Sequence, residues 1–349
     1  MITHRLHHLL PRRVLIIKPS ALGDVVTAMP VLRGLKRSFP EVDVDWLVAT
    51  SCAPLIAHDS DLDDVVEFDR KGLGKWWVSP PATGKLFKLL GELRHRRYDW
   101  VIDLQGLLRS GLMTRATRSP MRIGFSKARE GAWLFYNRRF SNLETHTVCQ
   151  NIELANAMGI DARPEDMTLQ VLPEAKDYTT RFLEDNGLST REPLVVVPPA
   201  RWQSKRYPGR RWKQVIAQVA PKRPVILLGA PGDELLCQEI ASGAGPNVFN
   251  LAGRTTVPQF VAFIEQAGGV LCCDSAAKFI APAVGTDVVC LIGPTQVDRT
   301  GPYPSGEAII SPAPCTGCLK RKCPQPVCMD LIDPEQVVDA AFAMLGDSR

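Results

Sequence analysis

Four junctions in the sequence set ionisable or anion-binding residues where an apolar run gives way to a helix. In the first, VLIIKPSALGDVV, Lys18 and Ser20 precede Asp24 at a helix start. With one glycine, this loop is neither a P-loop nor a dinucleotide fingerprint. A carboxylate in a first helical turn is kept ionised by the helix dipole. It can cap that helix, or accept a proton from an incoming hydroxyl. The second junction, PPARWQSKRYPGRRW, presents Arg201, Lys205, Arg206, Arg210 and Arg211 just after an apolar run. Such a run forms a solvated basic face or, at the carboxyl end of a strand, a phosphate site. The third, GAPGDELL, offers Asp233 and Glu234 to ribose hydroxyls or simply begins a helix. In the fourth, CCDSAAKFIAPAVGT, Asp274 ends a strand. The N–H groups of Ser275, Ala276 and Ala277 could then hold a pyrophosphate, with Lys278 adding charge.

A further cluster, CTGCLKRKCPQPVC, contains Cys315, Cys318, Cys323 and Cys328. Four thiolates beginning with C-x2-C can form a structural zinc site, although the spacings are tighter than in paired C-x2-C sites. Reduced thiols or a disulfide are the other readings. The remaining six cysteines lie in apolar surroundings and read as reduced core residues.

These groups need rigid elements to hold them. RVLIIK, VDVDWLVA, VVEFD, YDWVIDLQG and RIGFS read as strands of a first half, with a helix from about Asp24 to Arg37 and others near 53–57 and from Leu107. LVVVPPA, PVILLGA, VLCCD and DVVCLIGPT read as strands of a second half, alternating with helices. Short continuous apolar runs suit strands buried on both faces, and strand–helix alternation suits an open parallel sheet. The expected fold class is α/β, with two Rossmann-like domains whose parallel sheets face across a cleft. The expected boundaries are 1–175, 176–332 and a closing helix in 333–349, with Asp333 as N-cap and Pro334 at its first position.

At 349 residues the chain suits about two domains at ~150 residues each. A net charge of +5 is too small to indicate nucleic acid and suits an anionic substrate or membrane surface. No run approaches the ~20 apolar residues that span a bilayer. The start, MITHRLHHLLPRR, lacks a long apolar region and reads as a frayed terminus or a membrane-surface contact rather than a signal peptide. The expected location is the cytoplasm.

Together, VLIIKPSALGDVVTAMPVLRGLKRSFP, DLQGLLRSGLMTR, GFSKAREGAWLFYNRRF, KRYPGRRW and LIGPTQVDRTGPYP resemble the glycosyltransferase family 9 heptosyltransferases. The resemblance runs from Arg13 to the end, and AREGAWLFYNRRF is most similar to the heptosyltransferase I branch. It implies a GT-B fold, with the last helix returning to the first domain, and an inverting transfer that requires no metal or other cofactor. The implied donor is a nucleotide sugar, ADP-heptose. The implied acceptor is an anionic lipid-linked sugar, the Kdo or inner-core sugar of a lipopolysaccharide precursor, met at the cytoplasmic face of the inner membrane. Asp24 matches the family's base, Lys205 the lysine at the donor phosphates, and Glu234 the acid on the ribose. Ser20 and Gly23, with Arg109 and Arg129, match the acceptor side. At the diphosphate loop the family reads Asp-Ser/Thr-Gly-x-x-His, whereas Ala276 and Phe279 stand here in place of the glycine and histidine. This departure leaves two further readings open: a different nucleotide sugar, or a homologue that binds without transferring.

Overall fold

The apolar runs form two separate parallel sheets. The computed structural model describes residues 10–70, 72, 79–141, 144–325 and 327–347. Most of the N-terminal segment expected to fray or touch a membrane, residues 1–9, lies outside them. The chain divides into two units, Met1–Met167 and Thr168–Arg349. The division falls a few residues before the expected 175.

In the first unit, β1 (Arg13–Ile17) leads to α1 (Leu22–Val26), α2 (Met29–Ser38), β2 (Asp43–Ala49) and β3 (Asp64–Phe68). There follow α3 (Pro80–His95), β4 (Trp100–Asp103), α4 (Leu108–Ala116), β5 (Met121–Phe125), β6 (Arg138–Phe140) and α5 (Thr147–Ala157). The sheet order is β3-β2-β1-β4-β5-β6, every pair parallel. Leu15, Ile17, Leu47, Val101 and Met113 pack together in its core.

The helix expected over Asp24–Arg37 is two helices. Pro30, near the start of α2, has no N–H to continue the ladder. The Thr27 hydroxyl instead donates to the Asp24 carbonyl at 2.8 Å, closing α1. The segment expected as a helix near 53–57 is a short 3-10 turn, Ala53–Leu55.

The second unit opens with α6 (Pro173–Asp185), β7 (Leu194–Val197), α7 (Gly209–Val219), β8 (Val225–Leu227), α8 (Glu234–Ala241) and β9 (Val248–Asn250). It continues through α9 (Val257–Glu265), β10 (Gly269–Cys273), α10 (Ala277–Ala283), β11 (Val288–Ile292) and α11 (Val297–Thr300). It closes with β12 (Glu307–Ile310), α12 (Val327–Asp330) and α13 (Pro334–Leu345). The sheet order is β12-β11-β10-β7-β8-β9, again all parallel. Counted from its own first strand, each sheet has the order 3-2-1-4-5-6 of a doubly wound fold. The order reverses between β1 and β4 in one sheet and between β7 and β10 in the other.

The last helix, expected to return to the first domain, has its apolar face in the second unit's own core. It packs on α7, β10 and β11, with Val337, Val338, Ala341 and Phe342 in the second unit's core beside Trp212 and Leu291. Burying such side chains contributes about 1.5–3 kcal/mol each for the larger ones. Gly269 permits the approach, because a Cβ there would meet Met344 Cε at 2.6 Å. Asp333 caps the helix by accepting from the Glu335 N–H at 3.1 Å.

Candidate active site

Open parallel sheets bind ligands beyond the carboxyl ends of their strands, where the strand order reverses. In the first sheet that point lies between the loops after β1 and β4. Lys18 leaves β1 buried, and its Nζ donates to the Leu104 carbonyl at the end of β4 at 2.7 Å. Burial lowers its pKa; Asp24 and Asp103 oppose the shift, and Arg129 adds to it. These three residues therefore surround the Lys18 ammonium within electrostatic reach.

Asp24 sits half-buried in the first turn of α1. Its Oδ2 accepts from the Ala21 N–H at 2.8 Å, so the capping role is real. Among the described residues no donor engages Oδ1. One carboxylate oxygen thus braces the turn, and the other is open to a hydroxyl proton.

Asp103 ends β4 fully buried. It accepts from Tyr136 Oη at 2.6 Å and from the N–H groups of Gln105 and Gly106 at 2.9 and 3.1 Å. Burial raises its pKa against these hydrogen bonds. Gly124 makes room for Tyr136, since a Cβ there would stand 2.4 Å from the ring. Asp103 fixes the loop carrying Gln105, whose buried Oε1 has no hydrogen-bond partner among the described residues.

The expected acceptor-side residues gather around this end of the sheet. Ser20 Oγ accepts from Arg70 at 3.1 Å. Gly23 is buried in α1, and the Arg109 guanidinium lies 5.7 Å from the Phe68 ring at the end of β3. The Arg129 N–H donates to the Gly106 carbonyl at 2.9 Å. Arg70 and Gln105 escaped the sequence reading; the available signal was their place directly after strands, in FDRKG and DLQG.

In the second sheet the reversal point is held by Asp274. Lys205, on the loop after β7, places Nζ 2.8 Å from Asp274 Oδ2. Lys278 reaches Oδ1 from α10 and also donates to the Thr300 carbonyl. Thr295, on the loop after β11, donates to Oδ2 at 2.5 Å. Burial would raise the Asp274 pKa, but Lys278 and then Lys205 outweigh it and hold the carboxyl at about 2. Lys278, expected to add charge beside the diphosphate loop, is buried and paired with Asp274.

Ser275 is half-buried, and its Oγ accepts from the Ala277 N–H at 3.4 Å. Ala276 has φ −65 and ψ −28, ordinary helical angles at which a Cβ adds no backbone strain. Phe279 is buried, with Lys278 Nζ 4.8 Å from its ring centre.

The rest of the basic run divides. Arg210 and Arg211 pair with Asp330 at 2.5 and 3.1 Å, a structural contact to α12. Arg206 donates to the Ala200 carbonyl at 2.9 Å and lies 3.6 Å from Asp233. Glu234 is exposed at the start of α8, accepting from the Gly232 N–H at 2.5 Å.

Cys315 and Cys318 are exposed, Cys323 is half-buried and Cys328 is buried. Burial raises the Cys328 pKa, and the other three thiols add to the shift, so all four lie within electrostatic reach. Among the described residues no group of three or more His, Cys, Asp or Glu side chains could hold a metal ion. The segment runs along the carboxyl edge of the sheet. Gly317 and Leu319 donate to the Gly293 and Pro294 carbonyls at 3.0 and 2.7 Å, and Ser204 Oγ donates to the Lys320 carbonyl at 2.8 Å.

The sequence profile of glycosyltransferase family 9 (heptosyltransferase) matches residues 86–328. Lipopolysaccharide heptosyltransferase 3 of Escherichia coli K12 is 27% identical over 284 residues, covering 78% of this chain and 80% of its own. Lipopolysaccharide heptosyltransferase 1 of Pseudomonas aeruginosa is 25% identical over 360 residues, covering 95% and 98%. These similar identities do not single out the heptosyltransferase I branch. The E. coli heptosyltransferase WaaC solved with ADP-2-deoxy-2-fluoro heptose superposes with a TM-score of 0.73 at 23% identity, covering 94% of this chain and 99% of that one. The matched region includes both loops built around Asp274 together with Arg109 and Arg129, and the chain belongs to glycosyltransferase family 9, the heptosyltransferases.

Proposed function

We propose that the protein transfers a heptose, with inversion, from ADP-heptose to an anionic inner-core sugar of a lipopolysaccharide precursor. The open Oδ1 of Asp24 carries this reading: a family 9 chain holds a carboxylate with one unengaged oxygen at the reversal point of its first sheet, beside cationic groups. Asp24 takes the proton of the acceptor hydroxyl, whose oxygen forms a bond to the anomeric carbon as the bond to the nucleoside diphosphate breaks. Lys205 stabilises the charge gathering on that leaving group. Glu234 takes the donor ribose. Arg109 and Arg129, with Arg70, hold the anionic acceptor.

Contact with the cytoplasmic face of the inner membrane is part of the proposal. Leu108 and Leu112 on α4 are 44% and 47% exposed, and Trp133 and Leu134 on the adjoining 3-10 turn are 37% and 65% exposed. Exposed Arg109, Arg115, Arg138 and Arg139 flank them. Apolar side chains ringed by cations suit an anionic bilayer surface. Among the described residues no helix is long and apolar enough to cross a membrane.

The deciding experiment is a transfer assay with ADP-heptose and a Kdo-bearing lipid A precursor, followed by mass spectrometry of the acceptor. A mass increase of one heptose supports the reading, and its absence with binding of ADP-heptose intact overturns it. Ala276 and Phe279 favour one alternative, a different nucleotide sugar; the same assay with UDP- and GDP-sugars tests it.

A further inference from the structure

The charge balance at the second sheet is incomplete. A nucleotide sugar carries a negative charge on each of its two phosphates. Lys205 and Lys278 already share Asp274, which leaves one net positive charge between them. Phe279 brings no hydrogen-bond donor, and no histidine follows His146 in the sequence.

The cysteine-bearing segment carries a cation to the same place. The Arg321 guanidinium lies 5.1 Å from the centre of the Trp202 ring, and Lys205 Nζ lies 4.3 Å from the centre of that ring. Arg321 is exposed, and among the described residues no carboxylate pairs with it. Its backbone is held on both sides. Ser204, one residue from Lys205, donates to the Arg321 carbonyl at 3.2 Å as well as to that of Lys320. Leu319 adopts φ 60, a left-handed conformation that residues other than glycine rarely occupy. It persists because the flanking hydrogen bonds to Pro294 and Ser204 fix the turn. A strained turn, an unpaired guanidinium and an indole shared with the site lysine point the same way.

We propose that Arg321 is a donor-binding residue: its guanidinium hydrogen-bonds the diphosphate of the nucleotide sugar, supplying the cationic donor that the loop at 274–279 lacks. The inference rests on the nucleotide-sugar reading above. Trp202 acts as the platform that orders the arginine, since a stacked guanidinium keeps its N–H edge free for phosphate oxygens. The segment CTGCLKRKC is then a wall of the donor site.

The test is isothermal titration of the full, reduced chain with ADP, UDP, GDP and inorganic pyrophosphate. Arg321→Ala should weaken the nucleoside diphosphate that binds wild type by about tenfold, with the melting temperature unchanged. Arg321→Lys should recover part of the loss, and Trp202→Leu should weaken binding in the same direction. Lys322→Ala, an exposed charge on the same segment, should bind as wild type does. Equal affinity in wild type and Arg321→Ala, or an equal loss in Lys322→Ala, overturns the assignment. If wild type binds UDP or GDP in place of ADP, the ADP-heptose reading fails alone, and Arg321→Ala is judged against the nucleotide that binds. If wild type binds none of the four, the nucleotide-sugar reading fails and takes this assignment with it.

Discussion

Lys205 Nζ stands 2.8 Å from Asp274 Oδ2, joining the loop after β7 to the end of β10. The first sheet has a counterpart in Lys18, whose Nζ reaches the Leu104 carbonyl from the end of β1 to the end of β4. Each sheet thus closes its own reversal point with a lysine. The first leaves a carboxylate oxygen of Asp24 open beside its lysine, and the second has spent its carboxylate on two. In the proposed transfer, proton acceptance falls to the first sheet and donor-diphosphate binding to the second.

Asp24→Asn separates capping from proton acceptance, because asparagine still caps a helix. Turnover should fall by about 10²–10⁴-fold, the usual worth of a positioned base. Thermal stability and ADP affinity should stay near wild type. Retained turnover would remove Asp24 from the chemistry.

Asp274→Asn should destabilise the second unit by about 3–5 kcal/mol, since it leaves the buried Lys278 ammonium without its carboxylate. The Asp274 pKa is depressed from 3.8 to about 2 in the folded chain. Its contribution is therefore complete above the unfolded value and disappears as pH falls through the folded one. That contribution amounts to about 2 kcal/mol. Urea unfolding of wild type and variant should show their difference narrowing between about pH 4 and pH 2.

Thiol reactivity should be sharply divided. Cys315 and Cys318 are exposed, whereas burial pushes the Cys237 and Cys273 thiols up to about 12. Because the thiolate is the reacting form, a chromogenic disulfide at neutral pH should label Cys315 and Cys318 first. Cys237, Cys272 and Cys273 should react only after denaturation. Rapid labelling of Cys237 or Cys273 in the native chain would contradict the packing.

Trp133→Ser and Leu134→Ser should weaken binding to vesicles of anionic phospholipid, each by about tenfold or more if the side chain is fully buried in lipid. Activity on a water-soluble acceptor analogue should be unchanged. Equal flotation of variants and wild type would place the membrane contact elsewhere.

The sequence made the strands legible because parallel strands buried on both faces are continuous apolar runs, as in RVLII and VVCLI. Asp274 was legible because it stands directly beyond such a run, and Asp24 and Lys205 because they lie on the segments that follow one. The pairing of Lys278 was not legible, since the sequence does not show that its ammonium turns toward the Asp274 carboxylate and the Thr300 carbonyl. Thr295 and Arg321 were invisible, since they reach Asp274 and Trp202 across 21 and well over 100 positions, respectively. For the last helix the apolar face was clear, whereas its packing on α7, β10 and β11 was not.

The repeated strand order bears on how the chain acquires its structure. Every residue of the larger core, from Leu194 to Phe342, belongs to the second unit. Those of the smaller, from Leu15 to Met113, belong to the first. Each sheet can therefore condense from a chain segment about half the full length, so loop-closure entropy is set by the segment rather than by the whole. During synthesis the N-terminal half can complete its sheet before β7 leaves the ribosome. The lysine at each reversal point is then a late arrival. Lys18 waits for β4, and Lys205 for β10, so the two sites mature as the final step of two independent condensations.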